Sequence, residues 1–364
     1  MNYRQTYFPG LDGLRAVSVF LVILHHIGMI FSWWPFQGGP AWISSIFFQM
    51  MRLGFVGVDI FFVISGFLIA GLLLEDITGS LRLKRFYVRR IFKILPQYLV
   101  VVVVGFFLSI VVYEQYHRPQ TYLGYLFFLQ NYGDQIEILR HLWTIAVEEH
   151  FYIFLPLIFW CVWSVTKKST ERFLWLLLVF LGLICSVNGL RWYESIHSGL
   201  SSINQPPTWQ FTHRRFDALV FGCFLRLVLP FLIQWKQKLP FMPLAFLISG
   251  GLVCIGLINQ DHLTAWFDYL FLYASCGLIL LSIVLGSGLL NKFLEIPVLS
   301  FIGRNSYGIY IWHMASIFFF RDLFVHYHSL WFVLLYFLTT LFLGILSTMT
   351  IEKRFLNLRR RLMP

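Results

Sequence analysis

Two adjacent histidines, His25 and His26, lie inside the first long apolar stretch of the sequence. Histidine is the side chain best suited to proton transfer near neutral pH. His26 follows Arg15 by eleven residues, which is about 16 Å along a helix and places it near the middle of a bilayer. His25 points about 100° away around such a helix, so we expect it to face a different neighbour. The alternative reading of His26 is a structural histidine, hydrogen-bonded within a helix bundle.

Acidic residues occur inside two other apolar stretches. Glu148 and Glu149 are adjacent, and two glutamates in an apolar helix are hard to explain by packing. His141 precedes Glu148 by seven residues, a spacing that predicts a shared helix face. We expect one glutamate to pair with a histidine or arginine from another segment. Asp59 has two readings, a functional acid or the structural partner of a nearby arginine.

A basic segment precedes the third apolar stretch. Arg89, Arg90 and Lys93 stand at i, i+1 and i+4 of a predicted helix that enters the membrane. A positively charged cytoplasmic loop accounts for part of this charge. A fork of cations at the membrane edge also suits a polyanionic ligand that carries several phosphates.

Two later segments carry further polar groups in apolar surroundings. Arg215 and Asp217 are two residues apart, so they do not face each other on one helix and each needs a partner elsewhere. His313 ends a segment rich in tyrosine and tryptophan, which predicts either a polar cavity or an aromatic belt.

The composition defines the class of element that must position these groups. The chain of 364 residues is 58% hydrophobic, 19% aromatic and only 12% charged, whereas a soluble protein is roughly 45–50% apolar and about 25% charged. This excludes a soluble fold, a disordered chain, a coiled coil and a disulfide scaffold. The sequence therefore predicts an all-α polytopic membrane protein.

Ten apolar segments have about the length of a membrane span. We predict spans at residues 16–34, 54–74, 94–113, 143–165, 173–191, 216–233, 241–258, 266–286, 298–320 and 330–350. With both termini in the cytoplasm, all eight lysines fall on cytoplasmic segments, as the positive-inside rule requires. Loops 114–140 and 192–213 then lie outside, and the net charge of +11 is explained by topology and anionic lipid rather than by nucleic acid.

Familiar cofactor and metal motifs are missing from the sequence. There is no Walker loop, dinucleotide-binding glycine motif, CxxC pair or HExxH sequence, so ATP, NAD and zinc have no support. The five cysteines all fall inside apolar runs and are interpreted as packing residues. We expect no metal site and no nucleic-acid partner.

Taken together and in this order, the polar segments resemble the integral-membrane acyltransferase-3 family. Any one motif is weak, but six in order with this spacing are highly specific. The resemblance extends from residue 8 to about residue 315, and the matching segments are Leu11–Ala16 with His26, Gly57–Phe67, Arg89–Pro96, Trp143–Tyr152, Arg215–Asp217 and Gly303–His313.

The resemblance implies a bacterial inner-membrane enzyme that moves an acyl group, most often acetyl, from cytoplasmic acyl-CoA to a hydroxyl. The implied acceptors are cell-surface glycans such as lipopolysaccharide O-antigen or exopolysaccharide. Membrane lipids are further expected partners, since they surround the protein. Some relatives carry an additional esterase-like domain, and we expect this chain to be one domain over residues 1–364 with no fused extracytoplasmic domain.

The resemblance also implies roles for individual residues. His26 is the implied catalytic histidine, Arg15 and Glu148 belong to the same site, and Arg89 and Arg90 bind coenzyme A together with the neighbouring Lys93. The family usually has arginine where this chain has Lys93, so a bidentate phosphate contact would be lost there. It usually has glutamine where this chain has His150, which leaves that position without an assigned role. The remaining substrate-site candidates are Asp59, Trp143, Tyr152, Arg215, Asp217 and His313.

Acyl transfer agrees with the residue types. A thioester is already activated, and an acceptor hydroxyl needs a base, which His26 can supply. Glu148 could orient that imidazole, and Arg15 or a tyrosine could stabilise the oxyanion. An acyl intermediate on His26 stays open. The alternatives are a proton-coupled transporter or flippase, in which the intramembrane His and Glu relay protons, and a non-enzymatic scaffold.

Overall fold

The protein is built from helices and turns wherever its structure is described. The computed structural model describes residues 7–30, 48–51, 54–75, 83–197, 210–258, 267–286, 288–327 and 330–362. Residues 31–34 of the first predicted span and residue 266 of the eighth lie outside these ranges, as do residues 198–209 of the second predicted outside loop.

The α-helices whose two ends both lie within these ranges are numbered in chain order. The first six are α1 (Pro9–Ile30), α2 (Val56–Glu75), α3 (Leu83–Phe107), α4 (Pro119–Leu126), α5 (Trp143–Val165) and α6 (Ser169–His197). They are followed by α7 (Thr212–Arg215), α8 (Asp217–Lys238), α9 (Met242–Ile258), α10 (Asp268–Leu285), α11 (Leu289–Leu294), α12 (Pro297–Arg304), α13 (Ser306–Tyr327), α14 (Leu330–Ser347) and α15 (Lys353–Leu362). Single π-helical turns at Leu108–Val112 and Thr348–Glu352 extend α3 and α14, and 3-10 turns at Gln130–Tyr132 and Glu137–Leu142 precede α5.

Eight helical segments of the described ranges are long and apolar enough to cross a membrane. They are Pro9–Met29, Val56–Leu74, Leu83–Val112, Glu137–Val165, Ser169–His197, Asp217–Lys238, Asp268–Leu285 and Val333–Leu362, and each overlaps a predicted span. The predicted span 241–258 corresponds to a shorter apolar helix, Met242–Leu257. The all-α, multi-pass membrane architecture is thus confirmed.

The predicted span 298–320 consists of two helices rather than one. The break falls at Asn305, between α12 and α13. The Asn305 side chain donates from Nδ2 to the carbonyl of Phe301 over 2.7 Å, and its backbone N–H bonds to the carbonyls of Phe301 and Ile302. An asparagine side chain that competes in this way for helix carbonyls favours a helix end.

The chain divides into two compact units, each of which is described by itself. Unit 1 contains residues 1–15, 58–82 and 147–300, and unit 2 contains residues 16–57, 83–146 and 301–364. The prediction of a single domain over residues 1–364 stays a prediction.

Unit 1 is organised around α8, which packs against both α6 and α10, while α9 packs against α10. Close backbone contact joins α2 and α8. A Cβ atom added at Gly66 would overlap the carbonyl oxygen of Leu219, and one added at Gly222 would overlap the carbonyl oxygen of Val63. The two glycines therefore let α2 and α8 approach at the distance of backbone contact.

Unit 2 pairs α13 with α14 and packs α15 beside α3. A buried polar group ties these helices together. Gln97 of α3 donates from Nε2 to Oε2 of Glu352 over 2.7 Å and accepts at Oε1 from the Ser347 hydroxyl over 2.9 Å. Tyr307 of α13 donates to the carbonyl of Ile94 over 2.9 Å.

Candidate functional site

His26 lies on α1, in unit 2, with its side chain partly exposed. Its Nδ1 atom is 2.9 Å from the carbonyl oxygen of Val22, one helical turn earlier. A carbonyl oxygen can only accept a hydrogen bond, so Nδ1 is the ring nitrogen that carries the proton. In the neutral ring, the lone pair is then on Nε2. The hydrogen bond to Val22, in its own helix, thus holds His26 in one tautomer.

Two further histidines of unit 2 lie against His26. The ring of His313 is 4.8 Å from that of His26, and the ring of His141 is 4.7 Å from that of His313, measured between centroids. Both contacts are edge to face. We call His26, His141 and His313 the imidazole cluster. The sequence predicted His313 for the site, but it did not assign His141 to it.

Backbone carbonyls also hold the two other rings of the imidazole cluster. His313 donates from Nδ1 to the carbonyl of Tyr310, and His141 donates from Nε2 to the carbonyl of Ile311 over 3.1 Å. The lone pairs are therefore on Nε2 of His313 and Nδ1 of His141. Both side chains are almost completely buried, and these two atoms have no hydrogen-bond partner in the described part of the chain.

Other polar groups of unit 2 surround the imidazole cluster. The Tyr310 ring is 5.3 Å from that of His313, and its hydroxyl is 2.7 Å from the Thr144 hydroxyl and 3.0 Å from the carbonyl of His141. His25 turns its Nδ1 to the carbonyl of Met51 at 2.9 Å, so the two adjacent histidines do have different neighbours. Trp143, the first residue of α5, is buried in the same unit.

The position of His141 differs from the predicted one. Its spacing from Glu148 predicted a shared α-helical face, but His141 lies in the 3-10 turn Glu137–Leu142, and α5 begins only at Trp143. The turn directs the His141 side chain to the carbonyl of Ile311 in α13. The helical periodicity argument fails there because a 3-10 turn has three residues per turn rather than 3.6.

Glu148 and Tyr152 belong to unit 1 and form a line of hydroxyl contacts on α5 and α2. Tyr152 donates from its hydroxyl to Oε2 of Glu148 over 2.6 Å, and the Ser65 hydroxyl contacts the same phenol oxygen. The adjacent His150 contacts the Thr212 hydroxyl through Nδ1 at 2.7 Å. The site candidates Glu148 and Tyr152 are thus brought together.

Two buried ion pairs occupy the polar end of unit 1. Arg215 pairs with Asp59 at 2.8 Å, and Arg191 pairs with Asp217 at 2.6 Å. The Tyr269 ring lies under both guanidinium groups, 4.4 Å from that of Arg215 and 5.1 Å from that of Arg191. Arg215 and Asp217 each have a partner on another helix, as predicted.

Beside these pairs, the α7 segment carries a titratable histidine outside the membrane-spanning helices. Burial, with the neighbouring Arg214 charge as a second cause, lowers the pKa of His213. Arg214 itself pairs with Glu194 at 2.7 Å, and this pair is more exposed than the two others.

The predicted coenzyme A residues lie on the first turns of α3, in unit 2. Arg89 is exposed, while Arg90 and Lys93 are partly buried. The Arg90 guanidinium lies 5.8 Å above the Phe86 ring. Arg15 is partly buried on α1 and belongs to unit 1. Within the ranges that the structure covers, no group of three His, Cys, Asp or Glu side chains could hold a metal ion.

Comparisons with known proteins identify the family. The model of a family described as an acyltransferase domain, acyltransferase-3, matches residues 8–349. The peptidoglycan O-acetyltransferase OatA of Listeria monocytogenes is 28% identical in an alignment that covers 87% of this chain. The O-acetyltransferase OatA of Staphylococcus aureus strain NCTC 8325 is 29% identical in an alignment that covers 89% of this chain. A third relative, from Staphylococcus aureus strain COL, is 31% identical over 346 residues.

The match covers 50%, 53% and 52% of these three relatives, so the chain spans about half the length of the curated relatives it matches. No solved structure matches the chain. The match of the family model extends over nearly the whole chain and includes the segments that carry His26, Glu148 and His313. The chain belongs to the acyltransferase-3 family.

Proposed function

We propose that this protein is an inner-membrane O-acetyltransferase that moves an acetyl group from acetyl-CoA to a hydroxyl of a cell-surface glycan. The observation that carries the proposal is the tautomer of His26. Its Nδ1 proton is fixed on the Val22 carbonyl, so Nε2 has the lone pair that a general base requires.

In this proposal His26 removes the proton of the acceptor hydroxyl. A hydroxyl is a weak nucleophile until a base takes its proton, and general base catalysis contributes roughly 10²–10⁴-fold. In serine hydrolases a carboxylate orients the catalytic imidazole through Nδ1, but at His26 the Val22 carbonyl is the partner of Nδ1. We therefore propose that Glu148 does not orient His26. Its carboxylate instead accepts the hydrogen bond of the Tyr152 hydroxyl and contributes negative charge.

The transition state of acyl transfer carries negative charge on the former carbonyl oxygen, and a cation or a hydroxyl donor stabilises it. The resemblance suggests Arg15 for this role, but Arg15 precedes His26 by eleven residues on the continuous helix α1, which is about 16 Å along the axis, so we do not assign it to the oxyanion. Tyr152 is the alternative donor, although its hydroxyl proton is engaged with Glu148 at 2.6 Å in this structure.

Arg89, Arg90 and Lys93 are proposed to hold the phosphates of acyl-CoA. When it is bound, the thioester supplies an activated acyl carbonyl. The exposed Arg89 and the partly buried Arg90 and Lys93 occupy neighbouring positions on one helix, so their charges fit a ligand with several phosphates. In the predicted topology the start of α3 is cytoplasmic, which is the side from which acyl-CoA would enter.

The relatives support a general class of acceptor. The Listeria relative is named a peptidoglycan O-acetyltransferase, whereas the sequence resemblance gave O-antigen and exopolysaccharide as examples. All three are glycans that present hydroxyl groups outside the cytoplasmic membrane. We therefore propose the glycan class for this chain, and acceptor competition is the measurement that separates its members.

The experiment uses the full chain, purified in detergent. We expect release of free coenzyme A thiol from acetyl-CoA only when a glycan acceptor is added, together with a mass increase of one acetyl group on that acceptor. No proton gradient exists in detergent, so a proton-coupled transporter would release no thiol. Absence of thiol release with peptidoglycan fragments, O-antigen and exopolysaccharide would exclude the proposed activity.

A further inference from the structure

The imidazole cluster contains two lone pairs that nothing in the described structure uses. They are Nε2 of His313 and Nδ1 of His141, and both are shielded from solvent. Buried polar atoms without partners are rare and require an explanation. Packing alone does not explain them, because an apolar side chain of similar size would fill the space without leaving an unpaired atom.

The tautomers define what these two atoms can accept. Each ring of the imidazole cluster has one N–H, and each N–H is directed to a backbone carbonyl, of Val22, Tyr310 or Ile311. The neutral cluster therefore has three ring lone pairs and no proton to share among them. One added proton would become a donor to a neighbouring lone pair, whereas a second would be repelled by the charge of the first.

The three rings lie against one another, but no hydrogen bond joins Nε2 of His313 or Nδ1 of His141 to a neighbouring ring in this structure, so proton transfer requires the rings to turn until two nitrogens face each other. His313 is the central ring, 4.8 Å from His26 on one side and 4.7 Å from His141 on the other. The other titratable groups around them in unit 2 are His25, whose ring is 5.6 Å from that of His26, Arg140, within electrostatic range of His26, and Tyr310. His26 is less completely buried than His313.

We propose that His313 and His141 are proton-relay residues that hold the proton that His26 removes from the acceptor; this inference rests on the proposed function. The O–H bond of the acceptor breaks, and its proton passes to Nε2 of His26 and then to Nε2 of His313, next to the lone pair of His141. The new C–O bond forms as the C–S bond of the thioester breaks. The same proton then returns through His26 to the coenzyme A thiolate, so no net charge stays in the cluster.

Two amide substitutions separate the relay from the structural hydrogen bonds. His313→Asn places an amide N–H where Nδ1 donates to the Tyr310 carbonyl and removes the Nε2 lone pair. His141→Gln places an amide N–H where Nε2 donates to the Ile311 carbonyl and removes the Nδ1 lone pair. The matched controls, His313→Gln and His141→Asn, remove the anchoring donor instead and leave an amide at the relay position.

We expect His313→Asn and His141→Gln each to lower kcat by at least about tenfold, with an unchanged KM for acetyl-CoA, an unchanged Tm and a larger solvent deuterium isotope effect on kcat. The controls should lower Tm. Parental kcat and isotope effect in both His313→Asn and His141→Gln would overturn the relay, since anchoring would then be the whole role of the two rings. If one variant does not fold, the other decides.

Nitrogen NMR of histidine-labelled protein tests the relay without activity. In the parent, we expect the imidazole cluster to take up a single proton on acidification. This proton should change the ring nitrogen signals of His313 and His141 together. The joint change should be lost in His313→Asn. Independent titration of the two rings would overturn the proposal. A parent that shows joint proton uptake but no thiol release would contradict the proposed function and not the proton-sharing pair.

Discussion

Arg215 donates from Nη2 to Oδ1 of Asp59 over 2.8 Å, and the two side chains are 5% and 1% exposed. The pair joins α2 to Arg215, the last residue of α7, and Arg191 and Asp217 form a second buried pair beside it. Tyr269 contacts both guanidinium groups through its ring. Because the charges are removed from water, each depends on its partner for stabilisation.

Asp59→Ala should lower the free energy of unfolding by about 3–5 kcal/mol, because it leaves the Arg215 charge buried without its carboxylate. Thermal and denaturant unfolding of the purified protein in detergent measure this loss. The control is Glu194→Ala, which breaks the more exposed pair with Arg214 and should cost below about 1 kcal/mol. Equal effects of the two substitutions would contradict a special role of burial.

His26→Ala should lower acetyl transfer by about 10²–10⁴-fold while the melting temperature changes little, because the base is lost. His25→Ala is the matched control, since His25 is directed to the Met51 carbonyl rather than to the imidazole cluster. We expect it to keep most of the turnover. An active His26→Ala protein, or one that is inactive because it has unfolded, would remove the basis for assigning the base to His26.

Replacing Arg89 or Arg90 by Ala should weaken acetyl-CoA binding by roughly tenfold each, because a charge-assisted contact to phosphate is lost. Lys84→Ala removes the same charge from another face of α3, at an exposed position, and should have little effect. Lys93→Arg should strengthen binding by restoring a bidentate donor. Calorimetry of coenzyme A binding measures all four, and equal affinities for the parent and Arg89→Ala would place the donor site elsewhere.

Both termini should be cytoplasmic, with loop 114–140 outside, because this orientation puts every lysine inside. In a cysteine-free background, a cysteine at the exposed Asp134 should react with an impermeant maleimide in right-side-out vesicles. A cysteine at the exposed Lys353 should react only after the vesicles are opened. The opposite pattern would invert the predicted topology.

The sequence predicted much of the fold because the bilayer imposes a length on every span. Each of the ten predicted spans falls on one or more helices of the structure. The structure added the helix break at Asn305, which depends on a side-chain hydrogen bond to Phe301 rather than on hydropathy. The mean hydropathy of a twenty-residue segment does not reveal a single hydrogen bond of this kind.

Within the candidate site, residue type and depth singled out His26, and the resemblance singled out His313; the structure places the two rings in contact, and their catalytic role stays a prediction. They did not select His141, because its contact with His313 joins positions far apart in the sequence and depends on the 3-10 turn before α5. The pairing of Arg215 with Asp59 was open for the same reason. The sequence showed that Arg215 and Asp217 each need a partner elsewhere, because they do not face each other on one helix. Only the packing of the helices identified the partner of Arg215 as Asp59.

The backbone contact between α2 and α8 has a consequence for sequence variation. Gly66 and Gly222 leave no side chain at the crossing that could yield when the helices shift. Asp59 lies near the start of α2 and Arg215 ends α7, two residues before α8, so the spacing between them cannot readjust when one partner alone becomes shorter or uncharged. Across related sequences, the residues at the positions of Asp59 and Arg215 should therefore change together. They should vary independently only in sequences that have replaced both Gly66 and Gly222.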